Sequence, residues 1–169
     1  MRPRFVPTLE RVRFTLLDVG VVILVLGLVA LSVVHFGGGT EEPAILASPA
    51  MTPGSLNPDV TQETIAQTIC VRGWTATVRP STGYTNMLKG RQMPLYGETG
   101  SPSDYQEDHL ISLELGGNPT DPRNLWPEPY PRAADVDRIE NELNDKVCSG
   151  ELTLAEAQRQ ESELKHDDG

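Results

Sequence analysis

The sequence predicts an α+β protein: a small strand–turn–strand–helix core with flanking helices, preceded by a single N-terminal transmembrane helix. Three observations carry this expectation. Residues 19–36 run without a single Asp, Glu, Lys or Arg. The stretch 107–117, EDHLISLELGG, sets an acid–histidine pair at the head of an apolar segment that ends in Gly-Gly, and Asn124-Leu125-Trp126-Pro127 follows closely. Further on, Val136, Ile139, Leu143 and Val147 recur at spacings of three and four, the single apolar stripe of a core-facing helix.

The apolar run 19–36, extended by Thr15 to Asp18, approaches the ~20 residues that cross a bilayer core as helix. The expected organisation is a cytoplasmic segment 1–14, an anchor 15–36, a flexible linker 37–56, a folded domain 57–160 and a charged tail 161–169. Arg2, Arg4, Arg11 and Arg13 precede the run and Glu41 and Glu42 follow it. Positive-inside orientation then leaves the N-terminus in the cytoplasm and everything after residue 36 outside it, as a single-pass protein of the cell membrane. A cleaved signal peptide, with secretion, is the alternative. Its apolar core usually runs only ~7–15 residues before a small-residue site, and length therefore favours the anchor.

Residues 37–56 are dominated by Gly, Pro, Ser, Thr and Ala with no period, the composition of a tether. Val60 to Val71 predicts a short helix with Thr61 as a possible cap, and Trp74 to Val78 predicts a strand or extended segment that stops at Pro80. Ser81 or Thr82 caps a helix through Met93, and residues 97–103 read as loop. A strand over about 108–113, a turn at Gly116-Gly117, a loop with Pro119 and Pro122 and a short strand at 124–126 come next. The striped helix covers 133–147 and ends at Ser149-Gly150. Thr153 to Glu156 is a capping box that opens a last helix through Gln160 or beyond, and the charged residues after it are expected to fray.

Cys70 and Cys148 are the only cysteines. Outside the cytoplasm two such residues are expected to pair as a disulfide, and with no C-x-x-C pair a structural zinc site lacks ligands.

Asp108 and His109 are neighbours on a strand, so they address opposite faces unless the strand bends there. One can hold a metal while the other faces a water. Phosphodiester hydrolysis needs both a divalent cation and a general base, and a neutral imidazole suits the second task near neutral pH. His109 is the only histidine within the expected domain 57–160, which excludes a paired-histidine metal site. The competing reading of the pair is structural: a satisfied histidine beside a turn acid.

The run D-H-L-I-x-L-E-L-G-G followed by N-L-W-P resembles the HNH (ββα-metal) endonuclease family. More narrowly it resembles a bacterial HNH-like group, through Asp137-Arg138-Ile139-Glu140-Asn141, Val147 to Leu154, Ala157-Gln158, and the upstream Thr68 to Thr75 and Val78 to Pro80. The resemblance spans roughly residues 57–158. It implies a ββα-metal core in which Asp108 is a metal ligand, His109 the base that activates water and Asn124 the residue that holds the loop around His109. Gly116 and Gly117 would permit the reversal between the strands. The family's third ligand position, a His or Asn early on the helix, falls near Ala133, which cannot bind a metal, and Val136 replaces the group's usual lysine. Asp135, Asp137, Glu140 and Asn141 are the substitutes on offer, with Asp137 first; the carboxylates among them suit Mg²⁺ or Ca²⁺, with Mn²⁺ also admissible. Their bland reading is helix-dipole complementarity and solvated surface.

Charge bears on the substrate. The formal net charge is −10; residues 1–36 contribute +2, so the rest carries −12, an obstacle to binding a polyanion. Between Glu63 and Glu98, however, there is no acid, and Arg72, Arg79, Lys89 and Arg91 fall there as candidate phosphate contacts, set against scattered solubility charges. The expected function is a membrane-anchored, metal-dependent nuclease with nucleic acid, DNA ahead of RNA, as its partner. The alternative is an inactive HNH-like scaffold that serves as an envelope binding or structural module.

Overall fold

The computed structural model describes residues 46–167, so the expected cytoplasmic segment, the anchor 15–36 and residues 37–45 of the linker lie outside the described residues. Among the described residues no helix is long and apolar enough to cross a membrane. The architecture of the described residues is α+β: one two-stranded antiparallel sheet with four helices.

Strand β1 (Tyr105–His109) pairs with β2 (Leu125–Pro129), in a register that runs from Tyr105 opposite Pro129 to His109 opposite Leu125. The short helix α1 (Trp74–Val78) leads into α2 (Thr82–Tyr96), where Ser81 accepts the amide of Tyr84 as N-cap and Gly97 closes the helix at φ 72°. Helix α2 packs on both strands. Helix α3 (Arg132–Ser149) follows β2 directly and packs on the sheet from another side; it buries Ala133, Val136, Glu140, Leu143 and Val147. That is the expected stripe with a glutamate set into it. Helix α4 (Leu154–Asp167) opens on the hydroxyl of Thr153, which accepts the amide of Glu156, and packs against α3.

One apolar cluster joins Val60, Ile69, Ile111 and Leu115 to Leu143 and Val147 of α3 and Leu154 and Ala157 of α4. A second joins Ala47, Leu110 and Trp126, with the Tyr96 ring 5.9 Å from that of Trp126. The expected disulfide is present: Cys70 and Cys148 are bonded, 5.6 Å apart at Cα, and tie the segment after residue 64 to the end of α3.

Several boundaries differ from those the sequence predicts. Trp74–Val78 is helical, not extended. Among the described residues no strand lies beside it to pair with, and β propensity is realised only on a sheet. The predicted helix over 60–71 shrinks to a 3₁₀ turn at Ile65–Gln67, because threonine hydroxyls take the local carbonyls: Thr64 Oγ1 donates to Asp59 O and Thr68 Oγ1 to Thr64 O, each at 2.8 Å. Asp108 and His109 end the first strand instead of beginning it, and Leu110 onward turns into a long connection.

Gly116 and Gly117 are therefore not a hairpin turn. Gly116 caps a 3₁₀ turn at φ 78°, and a Cβ there would meet Val60 at 2.6 Å. A Cβ on Gly117 would stand 1.7 Å from the Ile111 carbonyl. Residues 46–56, a tether by composition, are built into the domain. Thr52 is fully buried, Gly54 N donates to Arg123 O, Ala47 N donates to Lys165 O, and Leu56 bridges Gly117. The segment 161–167 does not fray: Glu161 and Lys165 have no exposed surface.

Candidate functional site

The end of β1 is where the chemistry gathers. Asp108 and His109 line one cavity of about 390 Å³ together with Arg79, Gln106, Glu114, Asp137, Glu140 and Asn141. The strand supplies Asp108 and His109, the first turns of α3 supply Asp137 and Glu140, and the end of α1 supplies Arg79 as its C-cap residue.

His109 is 6% exposed. Its Nε2 lies 3.1 Å from the Pro119 carbonyl. A carbonyl only accepts, so Nε2 carries the proton and Nδ1 keeps the lone pair. Burial pushes the imidazole pKa below its ordinary value, against the opposing pull of Asp108, so the ring is neutral at ambient pH.

The loop that carries Pro119 is held by Asn124, which is completely buried. Its Oδ1 accepts the amides of Ile111 at 3.0 Å and Ser55 at 3.4 Å, and its Nδ2 donates to the carbonyls of Ile111 and Asn118, both at 3.0 Å. Through Asn118 the side chain fixes the residue next to the one that orients His109.

Asp108, Asp137 and Glu140 each bring a carboxylate oxygen within 4.8 Å of the other two. Gln106 Nε2 bridges Asp108 Oδ1 and Asp137 Oδ1 at 3.3 Å each. Oxygen donors at this spacing fit a hard divalent ion such as Mg²⁺ or Mn²⁺. Ala133 is fully buried and offers no donor, Asp135 stands outside the cluster, and Asn141 lines the cavity with its amide given to the Asp137 carbonyl. Asp137, first among the substitutes by sequence, lies in this acidic cluster together with Glu140.

Behind these carboxylates lies a buried charge network that sequence reasoning missed. Lys165 Nζ donates to Asp108 Oδ2 at 2.8 Å, to Glu140 Oε1 at 2.6 Å and to the carbonyl of His109, and lies 3.4 Å from Glu161 Oε1. Glu161 also accepts the Ser112 amide at 2.9 Å, and Glu128 on β2 accepts Arg132 Nε at 3.0 Å. Burial alone would push the Asp108 carboxyl up, but the Lys165 ammonium holds it below its ordinary value. Burial pushes Glu140 well up, and it pushes Glu128 up to about 8, with Asp108 beside it adding to the shift. Lys165 itself is held charged: burial works against the ammonium, but Asp108, Glu140 and Glu161 outweigh it. The signal was present, because Leu154, Ala157, Glu161 and Lys165 follow helical spacing, so the last two sit on the buried stripe of α4.

Of the four candidate phosphate contacts the structure brings only Arg79 to the cavity. Arg72 lines a second cavity of about 350 Å³ beside the disulfide, with Asp145 and Asn144. Lys89 Nζ is committed to the Tyr105 carbonyl at 2.8 Å, and Arg91 is exposed on α2. His166, which falls within α4, reaches the Thr52 carbonyl at 3.0 Å and takes no part in the cavity.

No family model, curated protein or solved structure matches this chain significantly.

Proposed function

We propose that this domain is a divalent-metal-dependent nuclease of the HNH, ββα-metal type. It hydrolyses phosphodiester bonds of nucleic acid, DNA ahead of RNA, from an anchored position outside the cytoplasm. The observation that carries the reading is one cavity in which a neutral, oriented imidazole, three convergent carboxylates and an arginine meet. An antiparallel pair followed at once by a helix, with Asn124 locking the connection, accords with it. The Cys70–Cys148 disulfide fits an oxidising compartment.

In this reading Asp108, Asp137 and Glu140 would hold the ion, which would supply neutralisation of phosphate charge and stabilisation of the leaving oxygen. His109 takes a proton from the attacking water at Nδ1, while Pro119 fixes the Nε2–H tautomer. Arg79 grips a phosphate oxygen at the cavity wall. Asn124 keeps the Pro119 loop seated and touches no reacting atom.

The test is plasmid and RNA cleavage by the full chain, purified in detergent, with Mg²⁺ or Mn²⁺. His109→Ala is expected to lose ~10²–10⁴-fold in rate, the usual contribution of a general base. Failure to cut either nucleic acid with Mg²⁺, Mn²⁺, Ca²⁺ and Zn²⁺ in turn refutes the assignment. A second reading, an inactive scaffold acting as an envelope module, has two specific observations on its side. Asp108 and Glu140 already share an internal cation, Lys165, and Ala133 stands where the family places a ligand.

A further inference from the structure

The cavity at the end of β1 and the cavity beside the disulfide share a wall. Glu114 lines both, the first with Arg79 and His109, the second with Arg72, Trp74, Asn144 and Asp145. Helix α1 runs between them: Trp74 opens it in the second cavity, and Arg79 caps its far end at the first. Five helical rises set these two residues about 7.5 Å apart along the axis, close to two base steps of a nucleic-acid strand at ~3.4 Å each. A strand whose phosphate is held at Arg79 therefore brings a neighbouring base to Trp74.

The second cavity has the chemistry of a base site. Trp74 is half-buried, packs against the larger apolar cluster and also lines the cavity. An aromatic ring braced in this way is a stacking platform, and an unpaired base is what stacks on one. Around it stand acceptors. Asp145 and Glu114 give their carboxylates to no hydrogen bond or ion pair among the described residues. Asn144 spends Nδ2 on the Glu114 carbonyl at 2.7 Å and the Ile69 carbonyl at 3.4 Å. Its Oδ1 stays an acceptor, because the Cys148 sulfur 3.9 Å away is in the disulfide and has no proton to give. Two carboxylates repel a phosphate but accept N–H groups. Guanine alone among the bases offers two adjacent N–H donors on its Watson–Crick edge, and that edge is free only when the base is unpaired.

We propose that the cavity beside the disulfide is a subsite for an unpaired guanine, close along the strand to the phosphate that enters the cavity of Asp108 and His109. The substrate is then single-stranded or locally opened nucleic acid. The proposal rests on the nuclease reading of the first cavity. Trp74 stacks the base, and Asp145 and Glu114 accept hydrogen bonds from its Watson–Crick edge. Arg72, exposed and without a hydrogen bond or ion pair among the described residues, meets a flanking phosphate. The Cys70–Cys148 bond joins the two chain segments that wall the subsite, so its shape is set before a strand arrives.

The experiment reads binding apart from cleavage. The full chain in detergent, with EDTA present, is titrated into a labelled oligothymidylate, the same strand with one central guanosine, and the duplex of that strand, and anisotropy is followed. The guanosine strand is expected to bind roughly ten-fold or more tightly than either of the others, the discrimination of a good bidentate base contact. Asp145→Ala, an exposed change, should erase most of that preference, and Arg72→Ala should lower the salt slope for all three by about one. Trp74→Leu, which keeps apolar volume against the core, should weaken both single strands about ten-fold. Melting curves check each variant, and if Trp74→Leu is unfolded the two exposed variants decide. Equal binding of the three nucleic acids by the natural protein, or a guanosine preference untouched by Asp145→Ala, overturns the proposal. Cleavage of the same strands with Mg²⁺ or Mn²⁺ is then mapped, and cuts are expected to cluster beside the guanosine. If the natural protein cuts without any preference in binding or position, the subsite falls and the nuclease reading stands. If the preference is present and depends on Asp145 but nothing is cut, the nuclease reading falls and the base subsite stands.

Discussion

Replacing Asn124 by alanine removes a side chain with no exposed surface and four hydrogen bonds. The Ile111 amide, the Ile111 carbonyl and the Asn118 carbonyl would each lose a partner held at 3.0 Å, in a place closed to water. At about 1–3 kcal/mol per orphaned buried group, and allowing for relaxation, the loss is about 3–5 kcal/mol. Set against the 5–15 kcal/mol typical of a whole domain, this is a large fraction. With a urea dependence of about 2 kcal/mol per molar, the unfolding midpoint should fall by roughly 1.5–2.5 M. Trp126, fully buried beside Tyr96, reports the transition by fluorescence. Asn124→Asp should do no better: it keeps the acceptor for Ile111 N but turns a carboxylate on two carbonyls. A midpoint shift below about 0.5 M in Asn124→Ala would refute the claim that this residue locks the connection around His109.

Other outcomes follow from the same geometry. Reducing Cys70–Cys148, which are 78 residues apart, should destabilise the domain by about 4.5 kcal/mol in the chain-entropy model; an unchanged urea midpoint in dithiothreitol would count against it. Burial raises Glu98 from 4.5 to about 7 and Glu107 to about 8. Their folded forms favour the proton, so this stabilisation is complete below about pH 4.5 and fades as pH rises through those values. Glu98→Gln/Glu107→Gln should flatten the decline in melting temperature between pH 5 and 9, and an identical slope would refute it. Arg79→Ala should raise KM for nucleic acid and make cleavage less sensitive to salt, read from rates at several ionic strengths. Asp137→Asn should weaken Mn²⁺ binding with little change in melting temperature, because Asp137 is the most open of the three carboxylates.

Local pattern made much of this legible. The α3 stripe, the Ser81 cap, the Thr153 start of α4 and the pairing of the two cysteines all rest on short spacings or on a count of two. The Trp74–Val78 helix was not legible, because whether a β-rich pentapeptide becomes strand depends on a neighbour that only the fold supplies. Composition also misjudged residues 46–56. Their small polar residues suit a tether, yet Ser48 and Ser55 donate their backbone amides to Tyr96 Oη and Asn124 Oδ1, and the Thr52 hydroxyl bonds Tyr96 Oη and the Leu125 carbonyl.

The sequence by itself picked out residues that the structure gathers at or beside one cavity: Asp108 next to His109, Asn124 a short step on, and Asp137 as the first substitute where Ala133 stands. These sit within some thirty residues, where strand and helix periods place side chains reliably. Only the tertiary structure decided what surrounds them. Lys165 lies 57 residues from Asp108 and 25 from Glu140, and a lysine in a charged tail reads as solvated until its helix packs against α3 and β1. Burial then changes its meaning, since an ammonium closed off from water must be answered by carboxylates, and those carboxylates belong to the site.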